Sequence, residues 1–262
     1  MTVPLATVAQ RTKALLEQDI GRALSAAESC ANSGRMDQVL WVLSLAARDV
    51  LRAGMFAIRW ERDLPRGRDY FRRAAEINPR FLDFVSQGLP AAAWCAHHLI
   101  YCNLLSDRFD DAVRLAEWAH GFDTPDPRLG DAEHEAFGRL LGLFVLDRRQ
   151  AFSALRTQYF CPPKRKLYPF WRWLQIYLDL YQAVLDRDQA RFEELMPERE
   201  AKYLARSKDE KAGESRPEFG GGMESNFTFD FMGVGIAKIA VQRGMRCDFD
   251  ATHLPKVVVH SV

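Results

Sequence analysis

The stretch Phe227-Thr-Phe-Asp-Phe-Met-Gly-Val-Gly-Ile-Ala-Lys-Ile-Ala-Val241 decides the fold, because only Asp230 and Lys238 in it are charged. A helix formed here is apolar on nearly every face, and such a helix lies inside a protein. With about 15 residues it is shorter than the ~20 residues that cross a bilayer. We therefore predict a buried helix over residues 231–243, around which the other elements pack.

Three glycines refine this prediction. Gly233 and Gly235 each lower helix propensity by up to ~1 kcal/mol relative to Ala, which indicates that neighbouring backbones come close at these positions. Gly244 follows the apolar residues and suits the position just past a helix end, where a left-handed backbone is common. The residues after Gly244 predict an irregular tail held against the outside of the helical body.

The composition is that of a globular protein. The 262 residues, 48% of them hydrophobic, are enough for one large core, and we predict a single domain over residues 1–262. The net charge of +1 provides no overall attraction for nucleic acid or an anionic membrane. Residues 1–11 lack the pattern of a signal peptide, so we expect a cytoplasmic protein without a membrane partner. The five cysteines form no C-x-x-C pair, which argues against a disulfide framework and a structural zinc site.

Apolar residues recur at helical spacing along most of the chain, and the second predicted helix is more apolar than the first, with Trp41, Leu45, Val50 and Leu51. Asn78-Pro79 is predicted to end the third helix, because the residue before proline avoids the α region. The predicted helices cover residues 4–32, 37–58, 66–77, 81–87, 91–105, 109–120, 131–146, 150–159, 169–185, 189–205 and 231–243. The fold class predicted is all-α, with N-terminal helices (1–88), hairpin repeats (89–205), a long loop (206–226) and a buried helix with its tail (227–262).

An internal similarity supports the hairpins. The pair Asp-Arg begins at Asp107, Asp147 and Asp186, so the pairs are 40 and 39 residues apart, and each is followed by an apolar helix. Such a period is typical of helical-hairpin repeats. Each Asp is predicted to cap the start of the second helix of its hairpin. The stretch Leu104–Ala116 resembles the turn of a tetratricopeptide unit.

Two groups of residues have types that bind metals. Asp248, Asp250 and His253 lie close together near the C-terminus, and Glu133-His134-Glu135 lies near a helix start. For the first group we favour acids that anchor the tail, and for the second acids that suit the helix dipole. The motifs of metalloproteases, serine hydrolases and nucleotide-binding loops do not occur, so we expect no enzyme and no cofactor. A metal-dependent enzyme using these residues remains an alternative.

A basic and aromatic segment, Arg156–Trp173, has the composition of a surface that binds single-stranded nucleic acid. Several of its aromatic residues follow helical spacing, which favours a place in the core. Together with the small net charge, this makes nucleic acid an unexpected partner.

Acidic residues are concentrated between residues 110 and 135, where they can steer and hold a basic protein partner. A second candidate surface is the long loop at 206–226, because connections of more than ~12–15 residues are usually either functional or disordered. The first set of candidate partner-binding residues is Asp123, Asp126, Asp131, Glu133 and Glu135. The second set is Glu210, Glu214, Glu218 and Glu224.

The C-terminal part resembles the immunity protein 49 family of bacterial polymorphic-toxin systems. The residues that carry the resemblance are Trp173–Ala190, Asp230–Ala240, Arg243-Gly244 and Leu254-Pro255. A second immunity family, which protects against PoNe-type DNases, has a similar apolar helix and tail. The resemblance implies an all-helical, non-enzymatic protein that neutralises a toxin domain encoded next to it. It transfers no toxin-contacting residue to this chain.

The sequence thus predicts an immunity protein that binds a cognate toxin domain, with a nuclease as one candidate for the toxin. An inhibitor of this kind needs a rigid body and one complementary surface rather than catalytic residues. The alternative is a tetratricopeptide-like scaffold that binds peptides or regulatory partners. A concave groove lined by polar side chains would favour the scaffold.

Overall fold

The computed structural model describes residues 5–86, 93–121, 132–161, 169–209, 230–251 and 255–260. Within these ranges all regular structure is helical and no β-strand occurs, which confirms the predicted all-α fold class. The chain divides into two compact units, residues 1–91 with 205–229 and residues 92–204 with 230–262.

The described part of the first unit contains four complete α-helices in sequence. They are α1 (Leu5–Asn32), α2 (Met36–Phe56), α3 (Leu64–Ala75) and α4 (Ile77–Ser86). A π-helical turn, Ala57–Glu61, extends α2, and α2 packs against all three of the other helices. Where α2 meets α3, a Cβ atom added to Gly54 would lie 2.9 Å from the Gly67 carbonyl oxygen. A Cβ atom added to Gly67 would lie 2.9 Å from the Gly54 carbonyl oxygen. The two glycines therefore permit the close contact of these helices.

One prediction for this unit is wrong. The third helix ends at Ala75, and Asn78 and Pro79 lie in the first turn of α4 rather than after a helix. Proline is tolerated there because a first-turn residue needs no backbone N–H donor. In α2, Trp41 is 45% exposed.

The second unit begins with a 3₁₀ turn, Ala93–Ala96, which leads directly into α5. Its helices are α5 (His97–Leu105), α6 (Phe109–His120), α7 (Ala132–Val145), α8 (Arg149–Phe160), α9 (Pro169–Asp186), α10 (Gln189–Asp209), α11 (Phe231–Gln242) and α12 (Lys256–Val259). From α5 to α9 each helix packs on the next, so this part of the predicted stack of hairpins is present. The short helix α12 stands where we expected an irregular tail.

The turns between the helices repeat, but the predicted role of their aspartates is wrong. Asp107 and Asp147 have φ angles of 61° and 58°, in the left-handed region, and they follow the end of the first helix instead of capping the second. The amide of Arg108 donates to the Asn103 carbonyl at 2.9 Å, and the amide of Arg148 donates to the Leu143 carbonyl at 2.9 Å. These are the bonds of a Schellman helix end.

The third turn has the same geometry with different residues. Arg187, with φ 57°, takes the left-handed position, and the Asp188 carboxylate accepts from the Arg191 amide at 3.0 Å to cap α10. The left-handed residues are therefore Asp107, Asp147 and Arg187, each 40 positions after the previous one. The left-handed residues are therefore evenly spaced in the structure, whereas the Asp-Arg pairs are not evenly spaced in the sequence.

Helix α11 is the buried helix that the sequence predicted. Residues 232–240 are all buried, and α11 packs on α5, α9 and α12. Gly244, with φ 81°, ends it as expected, with the Met245 amide donating to the Ala240 carbonyl at 2.9 Å. Added Cβ atoms on Gly233 and Gly235 would lie 2.5 Å from Arg199 Nη1 and 2.6 Å from Tyr101 Cδ1. The glycines thus make room for large side chains and not for neighbouring backbones.

Candidate functional site

A buried polar centre lies at the start of α11. Asp230 is the N-cap residue, and its Oδ1 accepts from the Gly233 amide at 2.9 Å. Its Oδ2 accepts from the Tyr177 hydroxyl and from Arg199 Nη1. Arg199 is fully buried and also donates through Nη2 to Glu200 at 2.8 Å. One carboxylate thus joins α9, α10 and α11.

The electrostatics of this centre favour its charged form. Burial is the largest single influence and opposes the charge on Arg199, but Asp230, Tyr177 and Glu200 together outweigh it and raise the pKa of the guanidinium. Burial first, and then the negative charge of Asp230, raises the pKa of the Tyr177 hydroxyl far above its ordinary value. Asp230 and Arg199 are therefore an ion pair, and Tyr177 is a neutral donor to it.

Two more tyrosines lie next to this centre. The hydroxyl oxygens of Tyr101 on α5 and Tyr181 on α9 are 2.5 Å apart, and both rings are buried. Burial raises the pKa of both hydroxyls, so both are neutral and one donates to the other. Phe144 of α7 stacks on Tyr181 with 4.4 Å between ring centroids.

Charged residues in the rest of α11 and just beyond its end bind the hairpin turns. Lys238, which is 3% exposed, places Nζ 2.5 Å from the Asp107 carboxylate and donates to the Val258 carbonyl at 3.2 Å. Arg243 donates to the Phe144 carbonyl at 2.7 Å and lies 3.5 Å from the Asp147 carboxylate. Burial lowers the pKa of Arg243 to about 10, which still leaves it a cation at neutral pH.

These contacts place α11 across the first helices of the three hairpins. It meets α5 at Tyr101 and α9 through the bond of Tyr177 to its N-cap, and Arg243, just beyond its end, meets the end of α7 at Phe144. Stacked helical hairpins generally use such a surface to bind ligands. In this protein the surface is occupied by the chain's own helix, so it is not the open polar groove that would favour a peptide-binding scaffold.

Of the predicted partner-binding residues, the structure describes Glu133 and Glu135. Glu133 and Glu135 are 6% and 5% exposed, and Glu135 Oε1 accepts from the Ala93 amide at 2.9 Å. Burial raises the pKa of Glu135. Neither side chain therefore lies on an open acidic surface. The remaining candidates lie outside the described residues, namely Asp123, Asp126, Asp131, Glu210, Glu214, Glu218 and Glu224.

Asp248 and Asp250, which the sequence offered as candidate metal ligands, hold the tail. Asp248 accepts from Lys256 Nζ at 3.0 Å, and Asp250 accepts from the Lys256 backbone amide at 2.9 Å. His253 lies outside the described residues. Among the residues that the structure describes, no three His, Cys, Asp or Glu side chains are grouped so that they could hold a metal ion.

The basic and aromatic segment is partly outside the described residues, including Lys164, Arg165 and Lys166. Within the described part, Arg156 pairs with Asp179 and donates to the Leu178 carbonyl at 3.3 Å. This arginine is therefore engaged in holding α8 to α9.

One signal for the buried centre is present in the sequence: Asp230, a charged residue at the start of a helix whose single other charged residue is Lys238. That pattern requires a buried partner. It could not name Arg199, which lies 31 positions earlier on a helix with an ordinary charged surface.

No helix within the described ranges has the length and apolar character needed to cross a bilayer. No protein-family model matches the chain, no curated protein matches it, and no solved structure matches it.

Proposed function

We propose that the protein is an immunity protein that binds a cognate bacterial toxin effector and neutralises it through protein–protein contact. The observation that carries the proposal is where the immunity-like residues lie. Trp173–Ala190 contains Tyr177 and Tyr181, and Asp230–Ala240 contains the N-cap and glycines of α11. The residues that resemble the immunity protein 49 family thus include several that fix α11 in place.

The arrangement suits an inhibitor. The contacts between α11 and the hairpins are ion pairs, hydrogen bonds and close ring contacts, which hold the helical body in one conformation. A preorganised surface loses less conformational entropy on binding, and this favours tight complexes. Since α11 lies against α5 and α9, the first helices of two hairpins, we place toxin binding on another surface of the protein.

A nuclease is the toxin class we consider first, because proteins that act on nucleic acid carry basic surfaces. The acidic residues Asp123, Asp126 and Asp131 would complement such a surface. Neutralisation of a nuclease would take place in the cytoplasm, where the target nucleic acid lies.

The second candidate function is a tetratricopeptide-like scaffold. It is supported by the left-handed turn residues at a period of 40 positions. The packing of α11 on the first helices of the hairpins weighs against it, because stacked helical repeats bind their partners on an extended open surface.

The test is to express this protein together with the toxic C-terminal domain of a secreted protein encoded by the adjacent gene. We expect restored growth and a stable complex of the two purified proteins, seen by size-exclusion chromatography. Full toxicity in the presence of excess folded protein would contradict the proposal. Binding to the domain without neutralisation would favour the scaffold.

A further inference from the structure

The His97 imidazole is enclosed by aromatic rings. Trp94 stacks on it at 5.0 Å between ring centroids, and Tyr101 meets it at a steep angle, also at 5.0 Å. Phe137 of α7 lies 5.7 Å away and Phe231, the first residue of α11, lies 6.1 Å away. His97 is only 3% exposed. The ring thus forms part of the contact between α5 and the start of α11.

Neither ring nitrogen of His97 has a hydrogen-bond partner among the described residues. A neutral imidazole has one donor and one acceptor, and buried polar atoms are normally bonded. Burial lowers the pKa of His97 to about 3. The imidazole is therefore neutral in the closed structure, and nothing in its described surroundings accepts from a second N–H.

Charged and titratable groups lie on each helix around this ring. They are His98 and Tyr101 on α5, Glu133, His134 and Glu135 on α7, and Asp230 at the start of α11. The Asp230 carboxylate is bonded to Arg199 and Tyr177, and the Glu135 carboxylate accepts from the Ala93 amide. These two acids would have to give up existing bonds before they could hold a charged His97.

We infer that His97 makes the contact between α5 and the first turn of α11 sensitive to acid: proton uptake by this imidazole favours an open form in which Phe231 has moved away. A charged ring among aromatic side chains needs water or a new acceptor, because an isolated buried cation is strongly unfavourable. Opening one helix end requires less free energy than unfolding the whole unit.

The direction of the pH effect follows from the pKa of His97 in the open and in the closed form. In the open, hydrated form the imidazole has its ordinary pKa of about 6.5, whereas burial holds it far lower in the closed form. The closed form is therefore fully stable above pH 6.5 and loses stability as the pH falls below that value. Between pH 7 and pH 5 the equilibrium constant for opening should rise roughly 25-fold.

The experiment is hydrogen–deuterium exchange of the full chain at pH 7 and pH 5, corrected for intrinsic exchange rates. Peptides that cover α5 and α11 should exchange roughly 25-fold faster at pH 5 in the wild-type protein, and peptides from α8 and α10 should change little. In His97→Phe, which keeps a ring but cannot take up a proton, this acceleration should disappear. His120→Gln removes a histidine at the end of α6 and should behave like the wild type.

Two results would overturn the inference. One is equal acid acceleration in wild type and His97→Phe, or in His97→Gln if the phenylalanine variant does not fold. The other is loss of protection in all helices together, which would mean global unfolding. The NMR shifts of the His97 ring in the wild type give an independent measurement, because a charged ring at pH 6 with α5 and α11 still protected would also contradict it.

Discussion

Asp107 and Lys238 form an ion pair of 2.5 Å between a hairpin turn and the buried face of α11. The lysine side chain is 2% exposed, whereas that of Asp107 is 40% exposed. Asp107 also holds a left-handed backbone with φ 61°, which aspartate and asparagine tolerate better than most residues. The turn residue therefore serves both the backbone conformation and the charge of a buried lysine.

Asp107→Asn should reduce stability while keeping the turn. Removing one partner of a fully buried pair costs about 3–5 kcal/mol, and the exposure of Asp107 lowers the expected loss to about 2 kcal/mol. Urea unfolding of both proteins measures this difference. Asp110→Asn changes an exposed acid in the first turn of α6 and should cost less than about 1 kcal/mol. Equal losses in the two variants would show that Lys238 does not depend on Asp107.

Asp230→Asn separates the charge of the N-cap from its hydrogen bond. Asparagine can still accept from the Gly233 amide, but it leaves the buried Arg199 with Glu200 as its remaining carboxylate. We expect a loss of about 3 kcal/mol in unfolding free energy. Glu198→Gln, in an exposed pair with Lys202 on the same helix, should cost at most about 1 kcal/mol. A loss at Asp230 no greater than at Glu198 would rule out a stabilising role for the buried pair.

Replacing helical glycines by alanine should stabilise the protein at one position and destabilise it at two others. Gly21 is exposed in α1 with no atom within 4 Å of an added Cβ, so Gly21→Ala should stabilise by about 0.5–1 kcal/mol. Gly233→Ala and Gly235→Ala place a methyl group against Arg199 and Tyr101, and we expect losses of about 1–3 kcal/mol. Thermal unfolding of the three variants tests this. Stabilisation at Gly233 or Gly235 would mean that α11 can shift away from its neighbours.

The buried helix was predictable because its evidence is local. An apolar run with two charges and a terminal glycine defines α11 without any knowledge of its neighbours, and its observed end at Gln242 differs from the prediction by one residue. The hairpins were predictable for the same reason, since helical spacing and turn residues repeat along the chain.

The partners of the buried charges were not predictable. Arg199, Glu133 and Glu135 have the residue types of an exposed helix surface, and only the packing of distant segments shows that they are buried. The turn aspartates were misassigned because aspartate suits both an N-cap and a left-handed position, and the choice depends on backbone hydrogen bonds. Similarly, the sequence could not show that His97 and Phe231 meet, because 134 positions separate them.

Charge reversal tests where the toxin binds. Glu133 is buried, so a lysine there would disturb the fold rather than a surface. The variant to use is therefore Asp123→Lys, Asp126→Lys and Asp131→Lys together. With a basic toxin domain, we expect association to slow by at least about tenfold at low ionic strength, and the difference to shrink as salt screens the charges. Stopped-flow or surface-plasmon-resonance kinetics at two salt concentrations measure this.

The matched control reverses three exposed acids on α10, Glu193, Glu194 and Glu198, which changes the net charge by the same amount. If the overall field alone governed association, both triple variants would slow it equally. A specific acidic surface at residues 123–131 requires that reversal of the three aspartates slow association far more than reversal of the three acids on α10. Unchanged association of the first variant at low salt would exclude these three aspartates from the contact, and the acids at Glu210, Glu214, Glu218 and Glu224 would then be reversed in the same assay.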